Sequence, residues 1–234
     1  MRMNAVAVIK ELKSLGMPEK AKASAWFFKT GEGQYGYGDV FYGVTVPESR
    51  AIAGKYHSLP LSEIEKLLEH KVHECRLTAL HILVDQYARA DEKERGRIVK
   101  FYLAHIHRIN NWDLVDTSAH KILGAYLVGR DRRILYKLAK SKNLWERRIS
   151  IVATFVFIAR DDFADSLALI ELLLGDKHHL MHKAMGWVLR EVGKRSYETE
   201  IAFLEKHLPH LPRTTLRYAI ERFSESERKH FMRR

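Results

Sequence analysis

The segment NNWDLVDTSAHKILG, residues 110–124, places an indole and a carboxylate where they could act together. Asn111 is a favourable N-cap, so a helix is predicted to begin at Trp112. On that helix Trp112 and Asp116 are four residues apart and share a face, whereas Asp113 is expected to point away as a capping or buried structural acid. This arrangement predicts a partly desolvated pocket, and a packed tryptophan beside a salt-bridged aspartate is the alternative interpretation.

The elements that must position these residues are helices, because apolar residues recur at three- and four-residue spacing along most of the chain. Strand-like alternation is nearly absent, which predicts an all-α fold. The helices are predicted near 3–15, 18–29, 48–57, 61–69, 73–89, 92–107, 112–127, 131–140, 144–160, 163–174, 178–194, 197–208, 212–222 and 225–232. The glycine-rich stretch 30–44 is predicted to be a mobile aromatic loop that closes over a nucleic acid or packs on the first helices.

An internal repeat organises the chain. Equivalent positions recur at steps of 34 to 37 residues, at Arg76, Asp113, Arg148, Lys183 and Arg217. Helix pairs repeated at this period are typical of HEAT-like repeats, which stack into a solenoid because one pair cannot bury its own apolar face. The sequence therefore predicts a single domain over 1–234, a right-handed α-solenoid of HEAT-like repeats with a concave basic channel.

The charge balance favours a polyanionic partner. The chain has 40 Lys and Arg against 29 Asp and Glu, a net charge of +11 and a pI near 9.7. Nucleic acid is favoured over a membrane, and a generally solvated basic surface is the alternative. Because four of the five repeat positions are basic, the excess charge is expected to follow one wall. There Arg76 and Lys183 would flank Trp112 and Asp116, and Trp187 would add a second indole.

Several classes of protein are disfavoured by the sequence. The single Cys75 excludes an intrachain disulfide and a cysteine-based zinc cluster, and it suits a reducing compartment. His178 and His182 have a zinc-compatible spacing but lack the glutamate of H-E-x-x-H, so neither a metal nor a cofactor is expected. The N-terminus is typical of an amphipathic helix and not of a signal peptide, and no apolar run reaches membrane-spanning length. We expect a monomer in the cytoplasm, associated with the nucleoid.

Three segments together resemble the AlkD-type DNA alkylation repair enzymes: NNWDLVDTSA (110–119), LWERRISI (144–151) and KAMGWVLREVGK (183–194). The resemblance covers essentially the whole chain. It implies a HEAT-like-repeat DNA glycosylase that removes N3-alkyladenine and N7-alkylguanine without extruding the lesion into a pocket. Trp112 and Asp116 match the family's sugar-contacting tryptophan and catalytic aspartate. Arg148 matches its backbone-binding arginine and Trp187 its second tryptophan. Phe27 stands where family members can carry a tyrosine, so a hydroxyl is missing.

The chemistry that this resemblance implies suits the residues. An alkylated purine is already cationic and leaves without a general acid, so Asp116 would stabilise the developing sugar cation and orient a water. Trp112 and Trp187 would attract the cation, and Arg148 would bind a phosphate. No candidate Schiff-base lysine is expected beside Asp116, which predicts a monofunctional glycosylase without lyase activity. DNA contacts are expected from Arg148, Lys183, Arg190, Arg76 and Phe27, although Arg190 could instead form a salt bridge to the preceding helix.

Two other classes of function stay open. One is a non-enzymatic HEAT-repeat module that binds DNA structures or RNA through the basic wall, with Trp112 and Trp187 as stacking surfaces. The absent hydroxyl at Phe27 is compatible with this reading. The other is a protein-interaction scaffold, which fits a solenoid but not a one-sided basic wall. The basic tail that ends in Arg233 and Arg234 is expected to be a capping helix.

Overall fold

The computed structural model describes residues 3–233, so Arg234 lies outside the described residues. The secondary structure of those residues consists of helices, with no β-strand among them and one isolated β-bridge between Val40 and Val72. The α-helices are α1 (Ala5–Leu15), α2 (Pro18–Phe27), α3 (Val46–Lys55), α4 (Leu61–Leu68), α5 (His73–Arg89), α6 (Glu92–Ala104), α7 (Trp112–Ser118), α8 (Arg133–Ala139), α9 (Leu144–Val152), α10 (Phe155–Ile158), α11 (Ala164–Leu173), α12 (His179–Arg195), α13 (Tyr197–His207), α14 (Arg213–Ala219) and α15 (Glu225–Met232). Short 3₁₀-helices span Ile106–Arg108 and Ile220–Arg222, and a π-helix spans His120–Gly124.

The all-α prediction is confirmed. Helix α5 has the predicted bounds, and polar caps begin several others: the side chains of Asn4, Asp91 and Ser196 accept hydrogen bonds from amides in the first turns of α1, α6 and α13. Two predicted helices are interrupted. The helix predicted over 112–127 changes to π geometry at residue 120, and the one predicted over 144–160 breaks after Val152.

The described chain forms two compact units, the first ending at Ile122 and the second beginning at Leu123. In the first unit α5 is the central helix and packs against α3, α4 and α7. In the second unit α12 is central and packs against α9, α13 and α14. Gly186 permits the contact with α14, because a Cβ atom there would lie 2.4 Å from the carbonyl oxygen of Thr215.

One arginine in each unit joins a helix to the turn before it. Arg76, the fourth residue of α5, donates to the carbonyl oxygens of residues 70 and 71 and to the carboxylate of Asp39. Arg147, the fourth residue of α9, donates to the carbonyl oxygens of residues 141 and 142 and to the carboxylate of Asp176. These arginines lie 71 residues apart, twice the repeat step that the sequence suggested. At Arg76 the repeated basic position therefore serves interior hydrogen bonds, and in the second unit the same contacts are made by Arg147, the residue before the repeated position at Arg148.

Candidate active site

A cavity of about 600 Å³ lies in the first unit, and Trp112 and Asp116 line the same wall of it. Both side chains are half-buried, as the prediction of a partly desolvated pocket required. Phe27, the residue expected to replace a family tyrosine, also lines the cavity. The other lining residues are Lys20, Ala23, Ser24, Phe28, Phe41, Gly43, Val44, Thr45, Val46, Arg50, His73, Glu74, Leu77, Asp113, Thr117 and Lys121.

Five rings form an aromatic cluster on the cavity wall: Phe27, Phe28, Phe41, His73 and Trp112. Phe28 is central, because it stacks on Trp112 with centroids 5.2 Å apart and on Phe41 with centroids 5.3 Å apart. Phe27 meets Trp112 edge-on at 5.7 Å, and His73 lies 4.9 Å from both Phe28 and Phe41. Such offset and edge-on contacts are the favoured arrangements of aromatic rings. Trp112 is therefore held on several sides.

The start of α7 fixes Trp112 and Asp116 on this wall. The buried Asn111 side chain accepts a hydrogen bond from the Trp112 amide at 2.9 Å, which confirms the predicted N-cap. Asp113 does not point away from the other two, because it lines the same cavity. One of its oxygens accepts from the Leu114 amide at 2.8 Å and the other lies 2.7 Å from His73 Nε2. Asp113 is thus a structural acid, as predicted, but it lies on the cavity side of α7 and not on the side away from Trp112 and Asp116.

A buried ionic network lies behind the aromatic cluster. His73 Nδ1 lies 3.1 Å from Asp39 and His73 Nε2 lies 2.7 Å from Asp113, while Arg76 donates to Asp39 at 2.5 Å. Burial acts to lower the pKa of His73, but the carboxylates of Asp113 and Asp39 prevail and raise that pKa to about 9. Burial acts in the opposite direction on Asp39, yet His73 and Arg76 hold the pKa of this carboxyl below its usual value. The histidine is therefore an imidazolium at neutral pH.

The end of the glycine-rich loop is tied to α5. The buried carboxylate of Glu74 accepts hydrogen bonds from the amides of Tyr42, Gly43 and Val44 at 3.1, 2.8 and 3.2 Å. A positive φ of 84° and a Cβ position only 2.2 Å from the Met17 carbonyl oxygen require glycine at position 43. The loop thus packs on the first helices at this end, which places Phe41 in the aromatic cluster.

The rim of the cavity is basic. Lys20, Arg50 and Lys121 are exposed residues among those that line it. Lys121 lies five residues after Asp116, in the π-helix His120–Gly124, and lines the same cavity as the carboxylate. Lys121 is thus the lysine to test against the expectation that no Schiff-base lysine lies beside Asp116.

The predicted residues of the second unit do not all lie at its surface. Trp187 lines a separate cavity of about 370 Å³, where its ring is 4.4 Å from Phe155 and its Nε1 donates to Glu191 at 3.2 Å. Lys183 is exposed, with its ammonium 5.9 Å from the ring of Tyr218. Arg190 forms a salt bridge with Glu221, which was the alternative to a DNA contact. Its partner lies in the segment that follows α14 and not in the preceding helix.

Two predicted DNA-binding arginines are interior residues. Arg76 is 2% exposed and Arg148 is 5% exposed. The terminal nitrogens of Arg76 donate to two carbonyl groups and to Asp39, so the structure corrects the expectation that it lines an exposed basic wall. Arg148 donates to the Leu180 carbonyl oxygen at 2.7 Å, and its contact with a phosphate stays a prediction.

The sequence did not identify Phe28, Phe41, His73 and Asp39 as parts of the site. Phe28 adjoins Phe27, and the aromatic content of the loop was a signal for Phe41. Nothing local marks the pairs that His73 makes with Asp39 and Asp113, which are 34 and 40 residues away in sequence.

Across residues 3–233, no group of three or more His, Cys, Asp or Glu side chains is arranged to hold a metal ion. Nor does any helix in that range have the length and apolarity needed to cross a membrane.

An all-helical chain with an aromatic, acid-bearing cavity and a basic rim is consistent with a protein that acts on nucleic acid. The model of the DNA alkylation repair enzymes matches residues 8–223, and the chain therefore belongs to that family. A solved structure described as a predicted DNA alkylation repair enzyme from Enterococcus faecalis is similar, with a TM-score of 0.70 and 18% identity over 90% of this chain and 97% of that chain. At that identity the likeness shows the fold. No curated protein sequence matched the chain significantly.

Proposed function

We propose that the protein is an AlkD-type DNA glycosylase that hydrolyses the N-glycosidic bond of cationic alkylated purines, N7-alkylguanine and N3-alkyladenine, in duplex DNA. It would act as a monomer, need no cofactor and leave an abasic site for base excision repair. The observation that carries the proposal is the presence of Trp112 and Asp116 on one aromatic, basic-rimmed cavity, in a chain of the DNA alkylation repair enzyme family.

The reaction needs charge stabilisation more than proton transfer. Alkylation gives the base a positive charge, so the C1′–N bond breaks with its electron pair going to the base, which leaves neutral. Positive charge then develops on C1′ and the ring oxygen of the sugar. Asp116 would stabilise that charge and accept a proton from the water that attacks C1′. Trp112 lines the same cavity, and its indole would contribute roughly 0.5–2 kcal/mol of cation–π attraction.

DNA would be bound mainly through its phosphates. Lys20, Arg50 and Lys121 are on the cavity rim, where cations could bind phosphates on either side of the lesion. Phe27 is 54% exposed and would contact the sugar or base. The proposal also includes the finer fold expectation, one functional domain of HEAT-like repeats in a right-handed solenoid with a basic channel. Contacts with DNA from Trp187, Arg148, Lys183 and Arg190 belong to that part of the proposal.

The test is release of N7-methylguanine from a methylated duplex under single-turnover conditions. We expect release by the wild type and a rate at least ~100-fold lower for Asp116→Asn, the magnitude typical of losing one preorganised charge-stabilising group. Duplex affinity should stay within threefold. The matched control is Asp131→Asn, which changes an exposed aspartate paired with Arg133 and should release base normally. Equal release by wild type and Asp116→Asn would remove Asp116 from the mechanism.

We further propose that the glycosylase is monofunctional, even though Lys121 shares the cavity with Asp116. Schiff-base lysines are activated by burial or by neighbouring cations, and Lys121 is exposed. Borohydride reduction of a mixture with abasic DNA should therefore give no covalent complex. A trapped complex that disappears in Lys121→Gln would instead identify a lyase that uses this amine.

A second candidate is a non-enzymatic module that binds DNA structures or RNA. The exposed aromatic residues of the first unit favour it, because Trp26 is 74% exposed and Tyr37 is also exposed, and unpaired bases stack on such rings. This candidate predicts binding that weakens steeply with salt, with no base release at any protein concentration. Under the glycosylase proposal, binding of the same salt dependence is accompanied by base release.

A further inference from the structure

We propose that His73 is a positioning residue for base release: clamped between Asp39 and Asp113, it fixes the first turn of α7 and with it Trp112 and Asp116. The inference rests on the function proposed above and assigns a role to a residue that touches neither the base nor the sugar. It follows from three features of the first unit, namely the hydrogen bonds of the imidazole ring, the rings stacked on it and the charges around it.

Both ring nitrogens of His73 face carboxylates. Nδ1 lies 3.1 Å from Asp39 in the glycine-rich loop, and Nε2 lies 2.7 Å from Asp113 in the first turn of α7. Only the imidazolium can donate through both nitrogens, since a neutral ring would turn a lone pair toward one of the acids. His73 is itself the first residue of α5. One ring thus joins three segments of the first unit at one buried point.

The same ring supports Trp112 by a second route. Its face lies 4.9 Å from Phe28 and 4.9 Å from Phe41, with interplanar angles of 32° and 27°. Phe28 in turn stacks on Trp112 at 5.2 Å and 24°. His73 is therefore connected to the indole through Asp113, the next residue in the chain, and through the face of Phe28. Two independent connections restrain both the position and the tilt of Trp112.

The charges around His73 balance only when it is protonated. The groups that face it are Asp39 from the loop, Asp113 from α7 and Arg76 from its own helix. The neighbouring carboxylate of Glu74 is directed to the loop amides instead. Two carboxylates, with side chains 5% and 13% exposed, thus face two cations, and loss of the His73 proton would leave an uncompensated negative charge in this largely buried network. Because the pKa of His73 is raised to about 9, this balance holds at neutral pH and is lost as pH rises through 9.

The consequence for the reaction is geometric. Asp116 is three residues beyond Asp113, less than one turn along α7, so a displaced first turn moves the carboxylate as well as the indole. A misplacement of ~1 Å can cost about 100-fold in rate. Loosening of the clamp should therefore lower the rate of the chemical step more than the affinity for DNA, because the rim cations do not depend on it.

The experiment compares His73→Gln with wild type in single-turnover release of N7-methylguanine. We expect a rate constant at least tenfold lower with a duplex Kd within threefold. The wild-type rate should also fall as pH rises through 9, whereas the rate of the variant should lack that limb. Asp39→Asn keeps the contact between His73 and Asp113, so its rate constant should fall less than that of His73→Gln. The matched control is His105→Gln, which removes a histidine paired with Glu65 away from the cavity and should behave as wild type.

A second readout does not depend on activity. With 5-fluorotryptophan incorporated, the ¹⁹F resonance of Trp112, assigned with Trp112→Phe, should shift or broaden in His73→Gln, while that of Trp145 in the second unit should not. If the wild type releases no base, the proposed function fails, and this resonance alone decides the positioning role. If His73→Gln does not fold, Asp39→Asn is judged by the same readouts. A folded variant with the wild-type rate, pH profile and Trp112 resonance would overturn the inference.

Discussion

Replacement of Glu74 by glutamine should destabilise the protein, because the Glu74 carboxylate binds three consecutive backbone amides of the glycine-rich loop. Its two carboxylate oxygens accept from three backbone amides, Oε2 from Tyr42 and Oε1 from both Gly43 and Val44. In Glu74→Gln the single amide oxygen can keep two of these bonds, and the NH₂ group then faces the Tyr42 N–H. One charge-assisted bond, of roughly 1.5–3 kcal/mol, is lost and two become neutral. Since an amide is easier to bury than a carboxylate, we expect a net loss of about 3 kcal/mol.

Urea denaturation at pH 7 measures this loss as a change in the free energy of unfolding. The control is Glu65→Gln, because the Glu65 side chain is 53% exposed and pairs with His105 at the surface. It should change stability by no more than about 0.5 kcal/mol. Since the Glu74-bound loop also carries Phe41, base release by Glu74→Gln should be slower even where the protein is folded. A Glu74→Gln variant as stable as Glu65→Gln would refute the reasoning.

Two further predictions concern the second unit. Gly124→Ala should lower the free energy of unfolding by about 2 kcal/mol or more, because the new Cβ would lie 2.1 Å from the Ala153 carbonyl oxygen; Gly175→Ala, which meets nothing within 4 Å, is the control in thermal melting. Glu200→Gln tests a buried acid whose pKa burial raises to about 8, against the opposing charge of Arg190. The folded wild type binds the extra proton between the unfolded pKa near 4.5 and about 8, so its stability should fall as pH rises through that window. The glutamine variant should then be the more stable protein at pH 8.5 in urea titrations but not at pH 5, and parallel pH profiles would contradict this assignment.

The sequence predicted the fold where local spacing determines structure. The apolar period gave the helical class and the bounds of α5, and Asn111 gave the start of α7. It missed the changes at residues 120 and 153, because these depend on packing and not on the spacing of apolar residues. At Gly124 the Ala153 carbonyl oxygen occupies the space of a side chain, and no pattern along the chain reports such an approach.

The site was predictable in part for the same reason. Trp112 and Asp116 are four residues apart on one helix, so their shared face follows from helical geometry. The partners of His73 lie on other segments, and only the tertiary fold brings them together. At Arg76 the predicted basic repeat position is interior and not exposed. A sequence gives the sign of a side chain's charge, but whether a guanidinium meets solvent or backbone carbonyls is decided by packing.

The π-helix after α7 also sets the direction of the chain that leaves the site. A π-turn contains one residue more than an α-turn, so the residues beyond His120–Gly124 are rotated by roughly 100° relative to a continuous α-helix. Deletion of one residue between 120 and 124 should therefore rotate the residues that follow and leave the segment from Trp112 to Ser118 unchanged.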